Sequence, residues 1–180
     1  GMGGVDRYTY LEDLSNSAMV IKTAQRLDKL AKQVYVQSKS FDEVIEMAKR
    51  KEEMIACIPA IQPVSNKDLK RVASPFGVRM HPFYKVLKMH TGMDFTAPTG
   101  TEIYATGNGV VSDVIHSGRG YGNTIIIDHG FSYKTLYAHM SKTIAKPGQK
   151  VRRGDVIGLV GNTGMSMAPH LHYEVRKNNE

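Results

Sequence analysis

The chain has 180 residues, 41% of them hydrophobic and 23% charged, with one cysteine and a formal net charge of +7. This is globular composition, with room for one full domain and an appendage. It excludes an internal disulfide and a cysteine-based zinc ribbon, and no apolar run approaches the ~20 residues that span a bilayer. Up to Ser74 the charge is +2, and beyond it +5. The basic second part favours an anionic partner, with a solvated basic surface as the plain alternative. No dense Lys/Arg run with interleaved aromatics appears, so nucleic acid is not an expected partner.

The first elements in chain order are helical. Val20, Ala24, Leu27, Ala31 and Val34 step by four and three, a heptad-like seam supported by Leu30, with Ser17 placed to cap it. A second helix is predicted from Ser40, which forms a capping box with Glu43. Phe41, Val44, Ile45 and Ala48 make its apolar stripe. The short link at 38–40 predicts an antiparallel hairpin across residues 1–57, with packing as its plain role. Cys57 reads as a small buried apolar residue. Two prolines in "IPAIQPVSNKD" then mark a connector over 58–73.

From Ser74 to the end, 74–180, the texture changes. Short runs rich in β-branched and aromatic residues, such as "GNTIIIDHG", "YKTLYAHM" and "HLHYEVR", are separated by Gly-rich turns. They predict an antiparallel all-β barrel or sandwich, so the fold class expected is α+β.

All seven histidines lie in this part: His81, His90, His116, His129, His139, His170 and His172. In "PHLHYEV" two of them are spaced i, i+2. On a strand they face one side, while Leu171 faces the core. Leaving such groups buried and unsatisfied costs about 1–3 kcal/mol each, so both, one or neither binding a metal are the open readings. "HTGMD" offers His90 and Asp94, with Gly92 letting the chain turn. "YAHM" puts His139 at a strand end, with Tyr137 expected on its face. Two histidines and one aspartate make a three-ligand set that leaves a fourth tetrahedral position for water, the catalytic arrangement of a zinc site. Imidazoles remain for proton transfer.

"SPFGVRMHPF", "HTGMDFTAPTGTEIYATGNGVV", "YAHM", "PGQKVRRGDVIGLVGNTG" and "PHLHYEV" together resemble, in order and spacing, the signature segments of the lysostaphin-type (LytM-type) zinc metallopeptidases. The resemblance runs from about Ser74 to the C-terminus. It implies a small antiparallel β domain, a barrel-sandwich-like duplicated hybrid motif, with a groove across its sheet. It implies one Zn2+ per chain on His90, Asp94 and His172, with His139 and His170 as non-ligand catalytic histidines. The implied substrate is the peptide part of bacterial peptidoglycan. The implied location is the cell envelope, periplasmic or otherwise extracytoplasmic. Gly1 ahead of Met2 is not a natural start, so further sequence with a membrane anchor is expected upstream, and a further tail beyond Glu180.

With no HExxH glutamate, histidine must act as base. His170 is expected nearest that role and His139 nearer the oxyanion, with the reverse left open. Glu174, two beyond His172 on the same face, either orients an imidazole or is a solvated strand-end carboxylate. Arg79 is expected to fix a loop or touch substrate, and Tyr84 and Tyr121 to line the groove. His129 reads as a turn residue, His116 as exposed and His81 as packing. Met167 and Ala168 stand where relatives often carry small residues such as Thr-Gly, which bears on substrate fit. The rival readings are a non-catalytic wall-binding or hydrolase-activating module of the same fold, and an iron oxygenase with a two-histidine, one-carboxylate triad.

Overall fold

The computed structural model describes residues 16–80 and 84–178; His81 lies outside them. The described residues fall into two units, one ending at Lys51 and one beginning at Glu52.

Residues Ser17–Cys57 form one continuous helix, α1, with none of its residues buried. This corrects the expected hairpin. The link Ser38–Lys39–Ser40 contains neither glycine nor proline, and serine costs a helix only a few tenths of a kcal/mol. Continuing the ladder adds one hydrogen bond per residue fixed. The capping box at Ser40 and Glu43 has nothing to cap, because the local amides are already bonded within the helix. The two apolar stripes also share one phase: Val34, Ser38, Phe41, Ile45 and Ala48 keep stepping by four and three. At the start, Asn16 rather than Ser17 provides the carbonyl that accepts from Met19 and Val20 at 3.1 Å.

The end of α1 has no basic residue in its last turn. Arg153 supplies the charge from elsewhere in the second unit. Its Nη2 donates to the carbonyls of Ile55 at 2.6 Å, Ala56 at 3.1 Å and Ile58 at 3.1 Å. The first two are among the acceptors that a helix end leaves without partners, and the third lies just past it. Cys57, expected to be buried, is half-buried. The following segment is tied to the β structure. Ala60 N donates to Thr106 O, Tyr104 N donates to Pro63 O, and Val64 is 1% exposed.

The strands are β1 (Arg71–Ser74), β2 (Gly77–Met80), β3 (Leu87–His90), β4 (Met93–Thr96), β5 (Glu102–Tyr104) and β6 (Gly109–Ile115). They continue with β7 (Asn123–Gly130), β8 (Tyr133–Met140), β9 (Lys142–Thr143), β10 (Lys150–Val151), β11 (Val156–Leu159) and β12 (Leu171–Lys177). The main sheet has the order β1-β4-β12-β8-β7-β6-β10, a second has β5-β11-β9, and β2 pairs with β3. Every pairing is antiparallel, as expected for the β part.

One apolar cluster takes Phe95, Ile125, Ile127, Tyr137, Leu171 and Tyr173 from the main sheet and Ile103 and Ile157 from the second. Strand alternation then presents Asp94, His172 and Glu174 on the face away from this cluster, each next to a core residue of its own strand: Phe95 beside Asp94, Leu171 and Tyr173 beside His172, and Tyr173 beside Glu174. The hydroxyls of Tyr137 and Tyr173 meet at Thr106, at 3.0 and 2.8 Å. His129 is not a turn residue: it is buried in β7, bonded to Asn108 O and Thr135 Oγ1, both at 2.7 Å. His116 is exposed, beside Thr143.

Candidate metal centre

The register of β4 against β12 pairs Asp94 directly with His172. β3 ends at His90, and Gly92 carries the chain across to β4. A Cβ on Gly92 would strike the Tyr173 carbonyl and the side chains of His172 and Glu174, so only glycine lets the segment pass this close. Three groups separated by up to 82 positions in sequence therefore meet. His90 Nε2 lies 3.1 Å from Asp94 Oδ1, His172 Nδ1 lies 3.0 Å from the same oxygen, and the two ring nitrogens are 3.1 Å apart. All three residues are buried.

The outer nitrogens fix the tautomers. His90 Nδ1 donates to Pro75 O at 2.8 Å, and His172 Nε2 donates to Glu174 Oε1 at 3.0 Å. In their neutral forms both rings thus turn bare lone pairs towards Asp94. Three acceptors with no proton among them need a cation between them. Ligands about 2.0–2.1 Å from a tetrahedral zinc stand about 3.3 Å apart, close to the spacing found here. The donor set fits a zinc-type metal.

Glu174 is held by four donors. Besides His172 it accepts from Thr91 Oγ1 at 2.6 Å, Tyr121 Oη at 2.7 Å and the Arg176 guanidinium at 2.6–2.7 Å. Burial alone would raise its pKa, but these bonds outweigh burial and bring it down to about 2. The carboxylate is therefore the fixed charge that orients His172, not a solvated strand end. Asp94 shows the same balance: burial raises its pKa, and the bond to His172 with the charges of His170, His90 and His172 lowers it further than burial lifts it. For His172, burial pulls the pKa down and the bonds to Asp94 and Glu174 lift it above its ordinary value. Arg79 is set on Asp94 itself, with Nη2 donating to Oδ2 at 3.1 Å.

His139 and His170 flank this centre, their ring centroids 4.7 Å apart. His170 Nδ1 donates to Ala168 O at 2.8 Å, and its Nε2 points inward, 3.7 Å from Asp94 Oδ1. His139 Nδ1 donates to Thr163 O at 2.8 Å. Burial depresses its pKa to about 4, so it stays neutral near pH 7. Tyr137 does not share its face, contrary to expectation. β8 carries an extra residue opposite β7 between Tyr137 and Met140, and His139 sits there at φ 60°. Such a bulge re-aims a side chain, here turning His139 to the cleft while Tyr137 stays in the core.

Together these residues line an open cleft of about 670 Å³, walled on one side by Tyr121 and the 165–169 loop. Met167 is 66% exposed there. Sequence reasoning had no way to find the backbone acceptors Pro75 O and Thr163 O, which set two of the four imidazoles. Thr91 was also missed, and only its place beside His90 points to it.

Two imidazoles and a carboxylate converge on one point, with two further imidazoles beside an open cleft, the arrangement of a candidate metal site. The model of Peptidase family M23 matches residues 88–180, and the chain belongs to that family. DD-carboxypeptidase/endopeptidase Mpg of Neisseria meningitidis serogroup B is 48% identical over 110 residues, 61% of this chain and 25% of that protein. Peptidoglycan DD-endopeptidase ShyA of Vibrio cholerae is 48% identical over 115 residues, 63% of this chain and 26% of that one. The chain thus spans about a quarter of the length of these relatives. A zinc-containing peptidase from Vibrio cholerae superposes with a TM-score of 0.61 at 39% identity, over 66% of this chain and 36% of that one. The catalytic domain of lysostaphin from Staphylococcus simulans gives 0.57 at 32% identity, over 63% and 83%.

Proposed function

We propose that this chain is the catalytic part of a zinc-dependent endopeptidase that hydrolyses peptide bonds in bacterial peptidoglycan. The observation that carries this reading is the meeting of His90 Nε2, His172 Nδ1 and Asp94 Oδ1 within 3.1 Å of one another at the floor of an open cleft. Its relatives named as peptidoglycan endopeptidases support the substrate.

His90, Asp94 and His172 would hold one zinc ion. When bound, zinc supplies a water whose pKa is lowered towards ~7 and polarises the scissile carbonyl. The remaining steps belong to the flanking imidazoles. His139, held neutral with Nδ1 already donating, presents Nε2 as an acceptor and takes the water's proton. His170, whose Nδ1 also donates, acts in its imidazolium form: Nε2–H, directed to the centre, hydrogen-bonds the developing oxyanion and passes its proton to the leaving amine. This is the reverse of the order expected from sequence, and the burial that keeps His139 neutral is the reason for it. Glu174 keeps His172 in its ligating tautomer.

Such an enzyme works in the cell envelope, periplasmic or otherwise extracytoplasmic, with an anchor elsewhere in the full protein. No helix among the described residues is long and apolar enough to cross a membrane. The test is digestion of purified sacculi by zinc-loaded protein. Released peptide fragments are expected from the native chain. Asp94→Ala is expected to lose both the metal and the fragments. Full activity in that variant would sink the proposed site, and uncut sacculi with full zinc loading would point to a non-catalytic module.

A further inference from the structure

The cleft has a charged side that the hydrolytic chemistry does not use. Strand register places it. Asp94 and Thr96 share the cleft face of β4, and their partners across the sheet are Ser74 and Arg71. Arg71 therefore stands on the face of Asp94, one strand over and two residues along. On the neighbouring ribbon Arg79 pairs with Lys88, and Lys88 lies two residues before His90 on the same face. Arg71, Arg79 and Lys88 all line the cleft, and Asp94 is its only carboxylate among the described residues. Arg79 is already bonded to Asp94. No ion pair of Arg71 or Lys88 is found among the described residues. The opposite wall, with Tyr121, Met165, Met167 and Pro169, carries no charge.

We infer that Arg71 and Lys88, with Arg79 behind them, form a subsite for a free carboxylate of the substrate, on the Asp94 side of the scissile bond. The inference rests on the peptidase reading and narrows it. The substrate class is a wall peptide with an unblocked carboxylate next to the bond cut, not one whose carboxylates are amidated or absent. The physical ground is charge complementarity in a cleft whose walls partly exclude water, where charge-assisted bonds to a carboxylate are roughly twice as strong as neutral ones.

The experiment uses two synthetic cross-linked wall peptides that differ only in having that carboxylate free or amidated. The zinc-loaded chain is expected to show a kcat/KM at least about tenfold higher for the acid, carried by KM. The double variant Arg71→Gln/Lys88→Gln is expected to bring the acid-to-amide ratio close to one. Lys88→Gln alone, on an exposed strand, is expected to lower it part of the way. The ratio is independent of how much of each variant is folded. Equal cleavage of both peptides by the native chain overturns the subsite, as does a double variant that keeps the preference. Calorimetric binding of the same peptides separates this reading from the one beneath it. If neither peptide is cut but the acid binds tighter, and does so only with Arg71 and Lys88 present, the subsite stands and the peptidase reading falls. If neither is cut and the two bind alike, the subsite falls as well.

Discussion

Glu174 touches no position that a substrate reaches, yet it accepts four hydrogen bonds and fixes the lone pair of His172. Partners of this kind are worth about 10–100-fold in metal affinity. Glu174→Gln is therefore expected to weaken zinc by that range, read by competition with a chelator and without any activity assay. His139 sets a pH dependence. Its folded pKa, about 4, lies below the ordinary 6.5, so below pH 6.5 the unfolded chain binds a proton that the folded chain refuses. The contribution of His139 to the stability of the metal-free protein is thus full above 6.5 and falls by about 3 kcal/mol as pH drops to about 4, while His172, lifted above 6.5, acts in the opposite sense. Denaturant unfolding of the native chain and of His139→Asn across this window is expected to differ by that contribution, the variant losing less stability as the pH falls. At this scale the sequence was most informative where chemistry follows strand period: the grouping of His172 with Glu174, and of Leu171 with the core, is legible in "HLHYEV". The aim of His139 was not, because a bulge obeys no alternation and leaves no mark in "YAHM".

The elements divide in the same way. β12 was readable because its apolar and polar residues alternate, whereas β4, only four residues long after the turn at Gly92, was not read as a strand. The hairpin was misread because both stripes are real and only the link between them was ambiguous. Serine favours caps, but a cap forms only if the chain leaves the helix, and nothing between Val34 and Phe41 makes it leave. The two readings differ in a length that can be measured. Spin labels at positions 28 and 50 are expected about 33 Å apart along a continuous helix. A hairpin turning at 38–40 would hold them about 10 Å apart. A pulsed-dipolar measurement near 10 Å would restore the hairpin.

For the whole molecule, the boundary of the β fold lies further upstream than the change in texture at Ser74. Val64 fills the core, β1 begins at Arg71, and Arg153 is bonded to carbonyls from Ile55 to Ile58. A chain starting at Glu52 is expected to unfold at the same temperature as the present one within about 2 °C. A chain starting at Ser74 loses Val64 and most of β1, and is expected to melt at least about 10 °C lower. Equal melting of the two shortened chains would return residues 52–73 to the status of a connector. Proline and polar residues marked that stretch as irregular, and irregular it is, but composition alone does not say whether an irregular segment is packed. The left-handed backbone at residue 139 bears finally on heredity. Besides glycine, few residues other than asparagine, aspartate and histidine sit easily in that region. From either histidine codon a single base change reaches asparagine or aspartate. A copy of this gene that keeps the left-handed backbone and loses the imidazole is thus one base change away.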